Sequence, residues 1–395
     1  MTRPQVKDEE RRARVGVRHQ LAPGAGAATL ADAAASVVVL HATDPASVFL
    51  EARARMSASS PAALEHEMYE EPSVLRLLAM RRTLFLVQLA DVPMVHAAAS
   101  RAISETERRR TIGMLAEAGI GPDPAHHLEE LEAVGLAAVR ERGEATTAEL
   151  RVLDPRLDQR ITLARGKSYQ GSISVATKVV FHLALDGRIG RGRPRGTWIG
   201  GQFRWSPIER WLPGGIPALR IDDARTELVR RWLRAFGPGT RDDIKWWTGW
   251  TVAATRQALE ALDAVEVELD GGKAGYLLPD DLEPVPSPEH WVALLPALDA
   301  ATMGWKDRDW YLGAHRPRLF DTNGNGGPTI WVDGRIVGGW AQRHSGEVVP
   351  GLLEDIGAEA RHEIEAEAAR LEEWIGPMRV TGSFPTPLEI ETRAG

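Results

Sequence analysis

The chain has no cysteine. Disulfides, thiolate zinc sites and iron–sulfur clusters are thereby excluded. It also lacks any uninterrupted apolar run of the roughly eighteen residues that a membrane-spanning helix needs. The first residues, Met1-Thr-Arg-Pro-Gln-Val-Lys-Asp-Glu-Glu10, are polar and contain no apolar core of a secretory signal. A cytoplasmic address without a membrane partner is expected. Tryptophan is missing from the N-terminal half, since all thirteen lie at or beyond Trp198. That half must therefore pack on Leu, Val and Ala, and the C-terminal half on aromatic rings. What remains, 395 residues with 43% hydrophobic and 26% charged, is ordinary for a protein of about two to four domains.

A global excess of positive charge is lacking too, because the formal net charge is −7. Its distribution matters more than its total. Between Arg160 and Arg234 there are fifteen Lys or Arg against five Asp or Glu, whereas Gly351–Gly376 carries eight acids against two bases. Affinity for phosphate follows the local field. The positive stretch contains a helix candidate over 172–185 and then an arginine-loaded hairpin, Asp186-Gly-Arg188-Ile-Gly-Arg191-Gly-Arg193-Pro-Arg195, returning through Phe203-Arg204-Trp205. A core helix followed by a basic β-ribbon is how a winged helix meets a phosphate backbone. Arg188, Arg191, Arg193, Arg195 and Arg204 are the candidate DNA contacts. Lys167, Ser168 and Tyr169 lie in the loop before the helix and can support them.

The plan repeats. Arg140-Glu-Arg-Gly143-Glu-Ala-Thr146-Thr-Ala-Glu149 and Arg234-Ala-Phe-Gly237-Pro-Gly-Thr240-Arg-Asp-Asp243 share a skeleton at an offset of 94 residues. In each, Gly stands where a helix C-cap needs positive φ, and Thr followed three residues later by an acid forms a capping box. Helix candidates over 129–141 and 224–235 precede them. Those over 172–185 and 252–262 follow, each leading into a hairpin, the second turning at Asp270-Gly-Gly. A third copy is expected near the start. There Thr29 opens a helix to about Leu40, Asp44-Pro45 one to about Met56, Ser60-Pro61 another, and Arg82–Val87 alternates like a wing strand. Residues 91–118 read as one or two linking helices.

From about Ser287 short alternating strands and Gly/Pro turns take over, with one acid-rich helix over Ala358–Ile375. The fold class expected is mainly α with β-wings (α+β): three tandem winged-helix units followed by a small antiparallel β-barrel-like domain. The boundaries expected are 1–118, 119–215, 216–286 and 287–395. A chain with its winged helices in tandem and no zipper heptads is expected to act as a monomer on double-stranded DNA, near the nucleoid.

Leu40-His41-Ala-Thr43-Asp44-Pro45 places two polar side chains in a tight loop between helix candidates. His41 can be a helix C-cap, where a cation is favoured, and Asp44 the N-cap of the next helix. Alternatively, neutral imidazole at position 41 can accept a proton from water near pH 7, with Thr43 and Asp44 assisting.

In several blocks the chain resembles the bacterial winged-helix DNA glycosylases of the AlkZ/YcaQ type, in an actinobacterial branch. The blocks are Leu40–Leu50, Leu64–Glu71 with Met80–Val87, Gly166-Lys-Ser-Tyr169 through Trp205, Leu295-Pro-Ala-Leu-Asp299 through Arg308, and Trp331–Trp340. The resemblance implies three winged helices and a β-barrel around a concave DNA surface, to which Arg81, Arg82 and Arg308 contribute. It implies excision of alkylated purines, without a cofactor, by a glutamine, one variable residue, then a glutamine or aspartate. His41 and Thr43 stand at those two positions. Two functions stay open. One is a monofunctional glycosylase using His41, Thr43 and Asp44. The other is a non-enzymatic DNA-binding protein, a regulator or lesion-binding factor.

Other motifs fail on spacing. Gly166-Lys-Ser lacks the leading Gly of a P-loop, since position 161 is Ile. Asp321-Thr-Asn-Gly-Asn-Gly326 has Val332 where a calcium loop needs Glu, and reads as a tight turn. Glu70 replaces the second His of a zinc-protease helix after His66-Glu67, and His126-His127 has no further ligand nearby. No metal is expected. Trp246, Trp247 and Trp250 have a helical spacing that assigns them to core packing.

Overall fold

The computed structural model describes residues 3–163, 170–382 and 385–394, and about half of the chain is helical. Near the start, the Thr29 hydroxyl accepts the Asp32 N–H and opens a helix over Leu30–Ser36. That helix stops short of Leu40. The chain turns at Val37-Val-Val39, with Val38 at φ 68°, and Leu40 and His41 then pair as a strand with Leu86 and Phe85. His41 is therefore a strand residue and not a helix cap. Asp44 caps Pro45–Arg55 through the Ala46 and Ser47 N–H groups, and Ser60 caps Pro61–Tyr69. Val74–Ala79 and Thr83–Gln88 complete a hairpin whose second strand lies between the first and Leu40–His41.

The same order recurs twice. Helix Pro124–Arg142 ends at Gly143 with φ 74°, and Thr146 and Glu149 close a capping box. Ala145 bridges to Trp205, helix Val175–Leu185 follows, and Ile189–Pro194 pairs with Phe203–Pro207. The expected helix start at 172 moves to 175 because Gly171–Ser174 pairs instead with Arg160–Leu163. In the third instance helix Ile221–Phe236 precedes the capping box of Thr240 and Asp243, and helices Arg241–Thr248 and Val252–Ala261 follow. The hairpin Val265–Leu269 with Ala274–Leu277 comes next, and Gly239 bridges to Tyr276. Gly237 departs from expectation, with φ −71°. Its requirement is space, since a Cβ there would sit 2.4 Å from the Leu233 carbonyl oxygen. The chain's first strand, Gln5–Val6, joins this third sheet in parallel with Val265–Leu269.

The link between the first and second repeats is one helical run, Val92–Val95, a π turn His96–Ser100, and Arg101–Glu117. Beyond Val292 four antiparallel strands, Val292–Leu295, Thr329–Val332, Arg335–Gln342 and Val348–Leu352, form an open sheet in chain order. The barrel-like closure expected is absent, because the first and last strands do not pair with each other among the described residues. Helix Gly357–Ile375 covers one part of this sheet, and a second helix not foreseen, Pro387–Ala394, packs against the strands Arg335–Gln342 and Val348–Leu352.

The basic hairpin is docked rather than projecting. Its first strand packs against strand Val74–Ala79 and helix Pro61–Tyr69 of the first repeat. At its tip the buried Trp198 sits 5.0 Å from Phe49 and 5.8 Å from Trp374, ring centre to ring centre. Burying an indole in this way ties three parts of the chain together.

Candidate functional site

His41 lies at the end of its strand with its backbone N–H aimed at the Glu51 carboxylate, 3.2 and 3.3 Å from the two oxygens. Glu51 is fully buried, and it also accepts the Ala300 N–H at 3.4 Å. Burial, then the Asp299 charge, holds its carboxyl well above the usual range, against the pull of Arg55. Arg55 and Asp299 form a two-pronged pair with both bonds at 2.8 Å and both side chains at 0% exposure. This buried ionic cluster joins helix Pro45–Arg55 to the C-terminal region and sets the position of the His41 backbone.

The His41 ring, with Phe85 edge-on at 5.5 Å, lines a cavity of about 80 Å³. A water takes up about 30 Å³ of liquid, so the space suits a few waters and not a base. Arg81, Trp246, Met303 and Asn325 share the lining. Arg81 lies 4.4 Å and Arg308 4.8 Å from the Trp246 ring centre. Arg81 and Arg82 form the tip of the first hairpin with φ of 57° and 63°. Non-glycine residues in that region cost of order 1–3 kcal/mol each, and such strain concentrates where a protein holds a functional group. No carboxylate lines the cavity among the described residues, so its rim is cationic. Burial, and after it the Arg81 charge, pushes the His41 imidazole down to about 3, and Nδ1 is buried without a hydrogen-bond partner among the described residues.

The sign of that shift makes a prediction. The unfolded imidazole takes up a proton as pH falls through 6.5, while the folded one stays neutral to about 3. Its share of stability is present above 6.5 and is lost on acidification, by up to about 1.4 kcal/mol per pH unit. Between pH 7 and 5 the wild type should therefore lose about 1–2 kcal/mol more unfolding free energy than His41→Gln. Equal losses in urea titrations would put the imidazole in water.

The other candidates scatter. Thr43 is exposed and does not line the cavity, and Asp44 is buried with its carboxylate on the N–H groups that it caps. Arg82 pairs with Glu107 at 2.9 Å, and Arg308 is 5% exposed over Trp246 and Phe320. In the basic hairpin, Arg193 pairs with Glu70 at 2.9 Å and Arg204 with Glu144 at 3.1 Å. Arg191 lies 5.1 Å from Phe203 and 5.3 Å from Trp205, and burial followed by the Arg76 charge pushes it down to about 10. Arg188 and Arg195 are exposed and carry no ion pair within 4.0 Å among the described residues. Lys167, Ser168 and Tyr169 lie outside the described residues. Sequence reasoning missed Trp246 and Asn325, assigning the first to the core and the second to a turn. The turn is real, with Asp321 accepting the Asn323 and Asn325 N–H groups at 2.8 Å, but it also carries Asn325 to the cavity. Trp247, a core residue, lines the cavity as well.

The sequence profile of a family described as "DNA glycosylase AlkZ-like" matches residues 34–374. Among solved structures, the Streptomyces sahachiroi DNA glycosylase AlkZ is similar with a TM-score of 0.72 at 19% identity, over 95% of this chain and 98% of that one. A search of curated proteins finds no match.

Proposed function

The chain belongs to the AlkZ-like DNA glycosylases, and from that premise we propose that it hydrolyses the N-glycosidic bond of alkylated, N7-type purines in duplex DNA. In this reading the three repeats are winged-helix units spanning 1–118, 119–215 and 216–286, the 287–395 region supports them, and the protein acts as a monomer. The observation that carries it is His41 beside a water-sized cavity with a cationic rim. An N7-alkylated purine already carries positive charge and leaves without a strong acid. The protein must then hold a water against the oxocarbenium-like sugar. Neutral imidazole accepts that water's proton in a hydrogen bond, and Arg81 holds a flanking phosphate at the mouth.

The depressed basicity of His41 favours a second reading, a DNA-binding protein without turnover. One assay separates the two: incubation with duplex carrying N7-methylguanine and chromatography of the released base. Free base above the buffer control supports hydrolysis. Tight binding of that duplex without release leaves only the binding protein.

Arg188 is an exposed hairpin arginine without an ion pair among the described residues, able to contact a phosphate. Arg188→Ala should weaken binding to every duplex sequence alike and reduce the slope of log affinity against log salt by nearly one. A slope equal to wild type removes Arg188 from the interface.

A further inference from the structure

The second repeat contains a cavity that the glycosylase reading does not use. It measures about 430 Å³, within the range of about 300–1,000 Å³ that accommodates an organic ligand. It opens between helix Val175–Leu185, the capping-box turn and the basic hairpin. Phe181, Phe203 and Trp205 supply aromatic walls, and Arg191 and Arg195 supply positive charge. The Trp205 indole N–H donates to the Thr147 hydroxyl at 3.1 Å, which fixes the plane of the ring.

Its electrostatics are one-sided. No carboxylate lines it, and neither Arg191 nor Arg195 has an ion pair within 4.0 Å among the described residues. The neighbouring acids are engaged elsewhere, Glu144 by Arg204 and Glu149 by the Thr146 N–H at 2.7 Å. A further cation, Arg76, is 4% exposed and lies 5.2 Å from the Phe203 ring centre, with Nε and one Nη lacking hydrogen-bond partners among the described residues. Guanidinium groups taken out of water without a counter-ion are costly. An anion entering this cavity relieves that cost, and a planar ring attached to it finds aromatic faces. The two features together describe a nucleotide. The His41 cavity, at about 80 Å³, has no room for a base, whereas this one does.

We propose that this cavity is a nucleotide subsite, taking one base against the wall of Phe181, Phe203 and Trp205 and its phosphate on Arg191 and Arg195. The occupant is a nucleotide unit of a DNA strand, and its choice over a free nucleotide rests on the DNA-binding reading above. The chemistry of the subsite itself does not.

The test uses the full-length protein without duplex, so that it stands apart from the excision assay. Deoxyguanosine monophosphate is titrated with saturation-transfer detection of its base protons, beside deoxyguanosine and inorganic phosphate. Saturation transfer to the base, with affinity at least fivefold above either fragment, is expected. Arg195→Ala and Arg191→Gln should each weaken it at least fivefold, and Phe203→Leu should reduce the transfer to the base. Arg195 is exposed, so its variant keeps the test valid if either of the others misfolds. Displacement of the mononucleotide by a single-stranded oligomer at lower concentration identifies a strand as the occupant. Failure of the oligomer to displace it retains the subsite and assigns it to the free nucleotide. Absent transfer, or transfer unchanged in Arg195→Ala, overturns the proposal even if base excision is observed.

Discussion

Asp299→Ala should lower the free energy of unfolding by about 3–5 kcal/mol, a large part of the roughly 5–15 kcal/mol that holds a typical protein together. The carboxylate makes two bonds to Arg55 at 2.8 Å and a third to the Ala301 N–H at 2.8 Å, with no exposure on either partner. Removing it leaves a guanidinium in a place that water does not reach. Glu51 moderates the loss. Its carboxyl is held up by burial and then by Asp299, so deleting Asp299 eases ionisation beside Arg55. The cost should accordingly fall toward the lower end of the range. The double variant Arg55→Met, Asp299→Leu should recover most of the stability, because an apolar pair of similar volume escapes the desolvation cost. Urea unfolding followed by tryptophan fluorescence reads both. A loss below about 1 kcal/mol for Asp299→Ala would mean that water reaches the pair.

The consequence reaches the candidate site through Glu51, which spans the His41 and Ala300 N–H groups. None of this was legible in the sequence. Arg55, Asp299 and Glu51 are ordinary charged residues there, and only the docking of helix Pro45–Arg55 onto the C-terminal region buries them together. Local rules read well by contrast. The capping boxes at Thr146 and Thr240 and the positive-φ cap at Gly143 were legible because each is complete within a few residues. The basic hairpin and the one turning at Asp270-Gly-Gly were legible from their turn signals, whereas only one strand of the first hairpin was read and the pairing of Arg160–Leu163 with Gly171–Ser174 was not. His41 read as loop because a two-residue strand has too short a pattern, and its partner Phe85 is brought in by the fold. Trp246 and Trp247 share one helical spacing and both line the cavity, and only the fold brings Arg81 and Arg308 onto the Trp246 ring. The barrel expectation failed for a related reason. Strand patterns are alike in open and closed sheets, and closure is decided by whether the edge strands meet.

The basic hairpin gives the same lesson in charge. Density of arginine suggested a row of phosphate contacts, but Glu70 and Glu144 engage Arg193 and Arg204 within the protein. Local composition reports how much charge is present, and tertiary pairing decides how much is free.

His41→Ala should reduce excision of N7-methylguanine by about 10²–10³-fold at saturating duplex, with DNA affinity changed less than threefold. The imidazole is the group that faces the water-sized cavity, so its loss removes the acceptor without touching a phosphate contact. The resemblance noted in the sequence implies a glutamine at this position. Its side-chain oxygen accepts a hydrogen bond from water but is no base at neutral pH. His41→Gln is therefore the sharper variant. An imidazole pushed down to about 3 by burial and then by Arg81 is a poor base as well, so the proposed reaction assigns it, too, the orienting of the water. His41→Gln should then keep excision within about tenfold of wild type, and the pH–rate profile of the wild type should have no limb near 6.5. If instead His41→Gln falls as far as His41→Ala and the wild-type rate declines below pH 6.5, the imidazole takes the proton outright. That outcome requires bound DNA to raise its basicity, most directly by a phosphate beside Arg81 that offsets the second of the two depressing causes. Because burial is the larger of them, the orienting role is the outcome the site geometry supports.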